Sequence, residues 1–384
     1  MGPARNVVLL GATGSIGEST LRVIRKHQDR LKLIGISAHQ QGEKLCQIAN
    51  EFGVKNVHLG HEQDIREDLP AETNFSTGSD ALNELAALEE ADLVVVAVVG
   101  AAGLAPTLAA LEAGKDVVLA NKESLVVGGQ LVMETARRTG AKILPADSEH
   151  NGVFQCLHGQ PEKSLDSIIL TASGGPFRDF SLEQLSSVTP EQALKHPNWS
   201  MGPKITVDSA SMANKGLELI EAHWLFGLPA ERLKVVIHPP SLVHAIVQFK
   251  DGCTLAQMSP PSMTFALQNA LLFPDRMEGV EQGLDFRQPL ELSFSPPSPD
   301  KYPCLKLAQD CLAKGGTAPL VFNAANEVAV AAFLRNQIGF TEISDIIENT
   351  LNTADFPHAS SLENLLTFDQ EIRLQASAFL QKLA

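Results

Sequence analysis

The strongest constraint on this chain's fold is an alternation that fills its first 150 residues. Short, almost wholly apolar runs recur, and each is followed by a segment of helical period. Asn6–Leu10, Leu31–Ser37, Asn56–Leu59, Asp92–Val99, Asp116–Ala120 and Lys142–Pro145 read as strands. Ser15–Lys26, Gly42–Phe52, Asp80–Leu88, Leu104–Ala113 and a stretch near Gly129–Thr139 read as the helices between them. A strand apolar at every position, not at every second one, is buried on both faces. Strands of that kind joined by helices form a parallel sheet covered on both sides. The uncharged stretch Leu93–Leu111 fits this pattern better than a membrane span. It is Val-rich first and Ala/Leu-rich later, and Gly100, Gly103 and Pro106 interrupt it.

The pattern changes near residue 150. Ser167–Thr171 reads as a strand running into Ser173-Gly-Gly-Pro176, and a polar loop follows at His196-Pro-Asn-Trp-Ser-Met-Gly202. Val235–His238, Ser241–Lys250 and Cys253–Met258 read as further strands, the last two joined at Asp251-Gly252 as a hairpin. The segment 288–303 contains five prolines and reads as a linker, and the remainder is helical in pattern. The expected architecture is therefore α/β. A Rossmann-like parallel-sheet domain spans 1–150 and an α+β second domain with a more open sheet spans 151–287. A linker at 288–303 leads to a helical bundle at 304–384.

Charge narrows the partners. A net charge of −15 over 384 residues disfavours nucleic acid and anionic membranes, so an anionic ligand needs local lysines, helix ends or a metal. Five cysteines are scattered without a CxxC pair, which fits a reducing cytosol. The first strand begins near Val7, with no signal-peptide layout before it.

Three constellations carry chemistry. The first is Gly11-Ala-Thr-Gly14-Ser-Ile-Gly17, which closes the first strand and opens the first helix. Its spacing is GxxGxxG, and its setting of strand, glycine turn and helix N-terminus is that of a dinucleotide pyrophosphate site. The second strand ends at His39, Gln40 and Gln41 without the acidic residue that binds a ribose 2′-hydroxyl, which favours NADP; Lys44 is close by in sequence. The second is Asp147-Ser148-Glu149, after another strand. If the chain is still extended there, Asp147 and Glu149 point the same way; the alternative is that Asp147 or Ser148 caps the next helix. Lys122, in Asn121-Lys122-Glu123, occupies the same kind of position and is a surface charge or a ligand contact.

The third is Lys204–Glu221, expected to pass from a β-rich stretch into one helix. Ser209, Ser211 and Asn214 would lie at its start, with Lys215 near the face shared by Asn214, Glu218 and Glu221. A phosphate at the helix start and a hard cation on the glutamates would make a compact site. An all-oxygen set of Asp147, Glu149 and Glu218 suits Mg²⁺ or Mn²⁺ better than zinc.

Taken together these motifs resemble one family, 1-deoxy-D-xylulose 5-phosphate reductoisomerase. The match lies in the glycine turn, Leu119–Leu125, Pro145–Asn151, Thr171–Phe177, His196–Gly202 and Val207–Glu218, all in order, with Asn323-Ala-Ala-Asn-Glu327 fitting the helical C-terminal region. The resemblance implies an enzyme of the non-mevalonate isoprenoid pathway that converts 1-deoxy-D-xylulose 5-phosphate and NADPH to 2-C-methyl-D-erythritol 4-phosphate. It implies Thr13, Gly14, Ser15, Ile16, Asn121, Glu123 and Gly202 as cofactor contacts, alongside His39, Gln40 and Gln41. Asp147, Glu149 and Glu218 are implied as ligands of one divalent ion, with Glu221 a neighbour. Lys122, Ser148, Ser173, His196, Trp199, Ser209, Asn214 and Lys215 are implied as substrate contacts. The resemblance also implies that the α+β domain is catalytic and carries a mobile flap loop, with Trp199 in that flap. Lys122 and His196 are also expected near the chemistry, with Asp147, Glu149 and Glu218. Gln40 stands where relatives often carry a basic residue. A homodimer is expected, in a bacterial cytoplasm, or in a plastid stroma if the chain is a trimmed precursor. Two rivals are a metal-free dehydrogenase on the same plan and a non-catalytic NADP-binding scaffold.

Overall fold

A computed structural model describes residues 4–61, 63–199 and 201–383, except the side chains of 162, 382 and 383. It resolves into two compact units. The first comprises residues 1–124, 132–151 and 262–283; the second comprises 125–131, 152–261 and 284–384.

In the first unit the strands are β1 (Arg5–Leu10), β2 (Leu31–Ala38), β3 (Asn56–Leu59), β4 (Asn74–Thr77), β5 (Leu93–Val96), β6 (Asp116–Leu119) and β7 (Ile143–Pro145). Between them run α1 (Ser15–Lys26), α2 (Gly42–Phe52), α3 (Ser79–Ala86), α4 (Leu104–Glu112) and α5 (Glu123–Thr139). The sheet is parallel throughout, in the order β4-β3-β2-β1-β5-β6-β7. Val7–Leu10 and Leu93–Val96 are fully buried, as their unbroken apolar sequence requires. Strand order reverses between β1 and β5, and in open sheets ligands bind at the carboxyl ends of the strands flanking such a switch. β4 was not among the expected strands; Asn74-Phe-Ser-Thr77 is half exposed at a sheet edge, so it lacks the apolar run that marks the others.

The chain leaves this unit through α6 (Ser148–Leu157). It then forms β8 (Leu165–Ala172), two short helices α7 (Leu182–Leu185) and α8 (Pro190–Ala193), and the longer α9 (Pro203–Ser211) and α10 (Ala213–Phe226). β9 (Leu233–Ile237), β10 (Val243–Phe249) and β11 (Thr254–Met258) complete a sheet in the order β11-β10-β8-β9. The β10–β11 pair is antiparallel, as the Asp251-Gly252 turn predicts, and β8–β9 is parallel. α11 (Met263–Leu272) packs with α1, β6 and β7 of the first unit. The second unit ends in α12 (Pro303–Lys314), α13 (Ala318–Leu334), α14 (Glu342–Thr353) and α15 (Leu362–Leu383), the expected helical bundle. Its core is continuous from Ile168, Leu170 and Val247 of the sheet, through Leu217 and Ile220, to Phe322, Phe333 and Ile346.

The proline-rich segment 288–303 lies against this unit. Ile237 and Ser295 exchange backbone hydrogen bonds of 2.8 and 3.0 Å, His238 stacks on Phe294 at 4.6 Å, and Tyr302 donates its hydroxyl to Gly174 O at 3.2 Å. No helix among the described residues is long and apolar enough to cross a membrane.

Candidate active site

In the first unit the glycine turn joins β1 to α1 at the switch point. A Cβ on Gly17 would lie 2.4 Å from Ala12 O, so only glycine lets the first turn of α1 close on the loop. Gly14 is the N-cap of α1, is exposed, and offers no capping side chain. Gly14 N donates back to Gly11 O at 3.3 Å and closes the turn. The first helical N–H groups, at Ser15 and Ile16, have no intrahelical partner, the arrangement that binds a pyrophosphate. Lys44 donates to Thr13 O at 3.1 Å and adds positive charge beside that turn. His39, Gln40 and Gln41 are exposed just past the end of β2, at the same edge of the sheet. These residues fit a bound dinucleotide.

Asn121 follows β6 and is buried. Its amide donates to Val98 O and Gly100 O, both at 2.8 Å, and its Oδ1 accepts from Ser124 N at 2.9 Å. Its side chain thus ties the loop after β5 to the turn after β6. Next to it, Lys122 is buried and places Nζ 2.6 Å from Asp147 Oδ2.

Asp147 does not lie on an extended segment with Glu149. The strand ends at Pro145 and α6 begins at Ser148, with Asn151 N donating to Asp147 O. Asp147 Oδ1 accepts from the adjacent Ser148 N at 3.2 Å, and Ser148 Oγ donates to Glu149 Oε2 at 2.5 Å. The strand geometry is corrected to a helix start, where the exposed N–H groups favour carboxylates and other anions.

In the second unit, Lys204–Glu221 is two helices, not a strand leading into one helix. Met212 adopts a left-handed conformation, φ 61°, and separates α9 from α10. Ser209 and Ser211 therefore end α9, whereas Asn214 and Lys215 open α10. On α10, Glu218 is buried and accepts from Asn214 Nδ2 and from Lys215 Nζ; Glu221 is buried one turn on.

The other polar focus is His196. Its Nδ1 accepts from Asn198 N at 3.1 Å and from Trp199 N at 3.0 Å. Its Nε2 lies 3.0 Å from Ser173 Oγ and 3.1 Å from Ser209 Oγ. With Nδ1 facing two N–H donors, the ring carries its proton on Nε2 and is neutral. Burial acts the same way, depressing its pKa to about 4. Ser173 Oγ also accepts from Gly175 N at 3.1 Å, so its own hydrogen is left to donate elsewhere. Close approach permits this grouping: a Cβ on Gly175 would sit 2.8 Å from Ala210 Cα. The Trp199 ring stands edge-on to His244 at 6.2 Å, and Gly202 is the N-cap of α9.

Asn198, Ser241 and Asp208 escaped the sequence reading. Asn198 donates to Pro239 O and Ser241 Oγ, at 2.7 and 2.8 Å, and pins the His196 loop to the β9–β10 connection. The signal for Asn198 was a polar residue between Pro197 and Trp199; Ser241 and Asp208 gave none.

Both units match known proteins. Residues 7–129 match the family described as 1-deoxy-D-xylulose 5-phosphate reductoisomerase, 143–226 its C-terminal domain, and 258–375 the DXP reductoisomerase C-terminal domain. The chain is 46% identical to the 1-deoxy-D-xylulose 5-phosphate reductoisomerase of Idiomarina loihiensis, covering 99% of this chain and 100% of the relative. It is 47% identical to that of Ralstonia pickettii, covering 97% of each. The structure superposes on the Zymomonas mobilis enzyme in complex with NADPH with a TM-score of 0.91 at 43% identity, covering 98% of this chain and 99% of that one. It superposes on a DOX-P reductoisomerase in complex with NADPH, fosmidomycin and magnesium with a TM-score of 0.93 at 41% identity, covering 99% of each chain. The chain belongs to the 1-deoxy-D-xylulose 5-phosphate reductoisomerase family.

Proposed function

We infer that this protein converts 1-deoxy-D-xylulose 5-phosphate to 2-C-methyl-D-erythritol 4-phosphate, using NADPH and a divalent metal, in isoprenoid precursor synthesis. The single observation that carries the reading is full-length similarity to enzymes of that name. When bound, the metal supplies a Lewis acid for the substrate's carbonyl and hydroxyl oxygens, and NADPH supplies the hydride.

The N-terminus of α1, with Thr13, Gly14, Ser15 and Ile16, holds the cofactor's pyrophosphate. His39, Gln40 and Gln41 contact its 2′-phosphate, and Asn121, Glu123 and Gly202 are further contacts. The exposed Gly14 cap, which has no side chain to cover the helix start, supports this. Asp147, Glu149 and Glu218 hold Mg²⁺ or Mn²⁺. Their donors are all carboxylate oxygen, which suits a hard ion. Two of them are paired with lysines, Lys122 on Asp147 and Lys215 on Glu218, so a metal takes their oxygens in competition with those ammonium groups.

Ser173, Ser209, Asn214 and Lys215 bind the substrate phosphate. The hydroxyl of Ser173 keeps a hydrogen to donate, and neutral His196, whose single Nε2–H faces both hydroxyls, holds the two serines together. Lys215 adds charge, and Ser148, Lys122 and Trp199 orient and enclose the substrate. Binding energy from the phosphate, remote from the reacting carbons, orients the substrate and drives closure of the loop bearing Trp199.

The protein acts as a homodimer in the cytoplasm. β11 is an exposed edge strand with Leu255 outward, and Phe286, Leu290, Leu292 and Phe294 are also exposed in the same unit. An unpaired edge strand with an outward apolar side chain, in a unit with further exposed apolar residues, favours pairing with a second copy. All five cysteines are free, as in a reducing compartment. Sedimentation of Leu255→Lys, expected to shift toward monomer, tests the dimer.

The deciding experiment follows NADPH oxidation with 1-deoxy-D-xylulose 5-phosphate, with and without added Mg²⁺ or Mn²⁺. Turnover only with metal is expected. Metal-independent reduction, or none under either condition, sinks the reading.

A further inference from the structure

The Asn323-Ala-Ala-Asn-Glu327 motif of the C-terminal bundle has no role in the site described so far, yet one of its residues reaches that site's supporting helix. Asp208 lies on α9 immediately before Ser209 and is 1% exposed. Both of its oxygens are engaged. Oδ2 pairs with Lys204 Nζ at 2.9 Å, one turn back on the same helix, and Oδ1 accepts from Asn326 Nδ2 at 2.8 Å, on α13.

A carboxylate can only accept, so the Asn326 amide must present its nitrogen to Asp208. Its own Oδ1 has no hydrogen-bond partner among the described residues. Burying such an amide costs stability that packing with a leucine would not. The one directional contact it makes, to Asp208, is what the site gains in return.

α9 needs such a contact. At its start is the His196–Gly202 loop, and at its end the left-handed Met212 breaks continuity with α10. Its apolar residues Val207 and Ala210 bury area but do not fix rotation about the helix axis, because hydrophobic contact is not directional. Successive helical residues point about 100° apart. A rotation that breaks Asp208 from Asn326 therefore carries Ser209 Oγ away from His196, from which it stands 3.1 Å.

We propose that Asn326 is a positioning residue which, by holding Asp208 through a buried hydrogen bond from the C-terminal bundle, fixes the rotation of α9 and thereby sets Ser209 for the substrate phosphate. This rests on Ser209 being a phosphate contact, whereas the helix-fixing step does not.

The test uses the full chain with Asn326→Ala and the reciprocal pair Asp208→Asn/Asn326→Asp, which restores a donor facing an acceptor. Amide hydrogen exchange over residues 203–211, KM for 1-deoxy-D-xylulose 5-phosphate and Kd for NADPH are measured in each. In Asn326→Ala, exchange across α9 and KM both rise by about tenfold, the size expected for one charge-assisted hydrogen bond, and NADPH affinity holds. The reciprocal pair recovers most of both. Wild-type exchange and KM in Asn326→Ala overturn the proposal. So does a rise in KM together with losses of NADPH affinity and thermal stability that the reciprocal pair does not repair, since Asn326 is then a general core residue. Ser209→Ala serves as the separate control. If it leaves KM unchanged, the phosphate reading fails, and α9 exchange still decides the Asn326 contact.

Discussion

Lys122 Nζ lies 2.6 Å from Asp147 Oδ2, joining the turn after β6 to the turn after β7 across two strands that pair in parallel. Lys122 therefore competes with any cation for Asp147. Replacing it with methionine removes that competition and keeps the buried aliphatic stem. We expect Lys122→Met to bind Mg²⁺ several-fold more tightly in calorimetry without substrate. If Lys122 contacts the substrate as proposed, turnover of the variant should fall at least about a hundredfold. Unchanged or weaker metal binding would argue that Asp147 is not a ligand.

The two main-chain donors on His196 Nδ1 predict a neutral ring with its proton on Nε2 throughout the working pH range. Nitrogen NMR of labelled histidine should show that tautomer with no titration near neutrality. The consequence for stability has a definite sign. The folded pKa, about 4, is below the unfolded value of 6.5. As pH falls through 6.5 the unfolded chain takes up a proton that the folded ring refuses. Folding stability thus declines from about pH 6.5 to pH 4 and levels off below. Denaturant titrations of His196→Gln should lack this share of the slope. A slope equal to wild type would place the protonation elsewhere.

Much of this was legible because burial on both faces writes itself into composition. The strands β1, β2, β5 and β6 are apolar runs and were readable as such. The glycine turn was readable because Gly17 fills a position no other residue fits. Helix boundaries inside the site were not. Met212 is an ordinary apolar residue whose left-handed backbone carries no compositional mark, so the break between α9 and α10 was hidden. Thr206-Val207 suggests a strand by its β-branched pair, and tertiary packing overrides that local preference. The start of α6 was hidden for a related reason, since Asp147-Ser148-Glu149 is equally good as a polar strand end and as a helix cap. Asp208 drew no notice because its partner Asn326 is 118 residues away.

Two glycines of the cofactor turn separate structure from binding. Gly14 has ordinary backbone angles, φ −80° and ψ 177°, and a methyl added there would meet no atom nearer than Gly11 O at 3.6 Å. Gly14→Ala should therefore fold with wild-type stability and lose NADPH affinity, because the methyl projects where the pyrophosphate approaches. Gly17→Ala drives a methyl into Ala12 O and should cost about 1–3 kcal/mol of stability. Thermal unfolding and NADPH titration of both variants check the contrast. Equal loss of stability in the two would remove the distinction.

Glu218 gives the sharpest test, because one substitution changes charge with almost no change in shape. It is 1% exposed and accepts from both Asn214 and Lys215 on its own helix. Glu218→Gln keeps the volume but replaces an anionic acceptor with an amide, which binds a hard divalent ion far less well. Turnover should fall at least about a hundredfold, while NADPH affinity stays within about twofold. The same change takes the carboxylate from the buried ammonium of Lys215 and should cost about 3 kcal/mol of stability. A paired Lys215→Met/Glu218→Gln variant removes that ammonium, so it should regain stability without regaining activity. If stability and turnover recover together, the loss in Glu218→Gln comes from the unpaired Lys215 ammonium and not from a missing metal ligand.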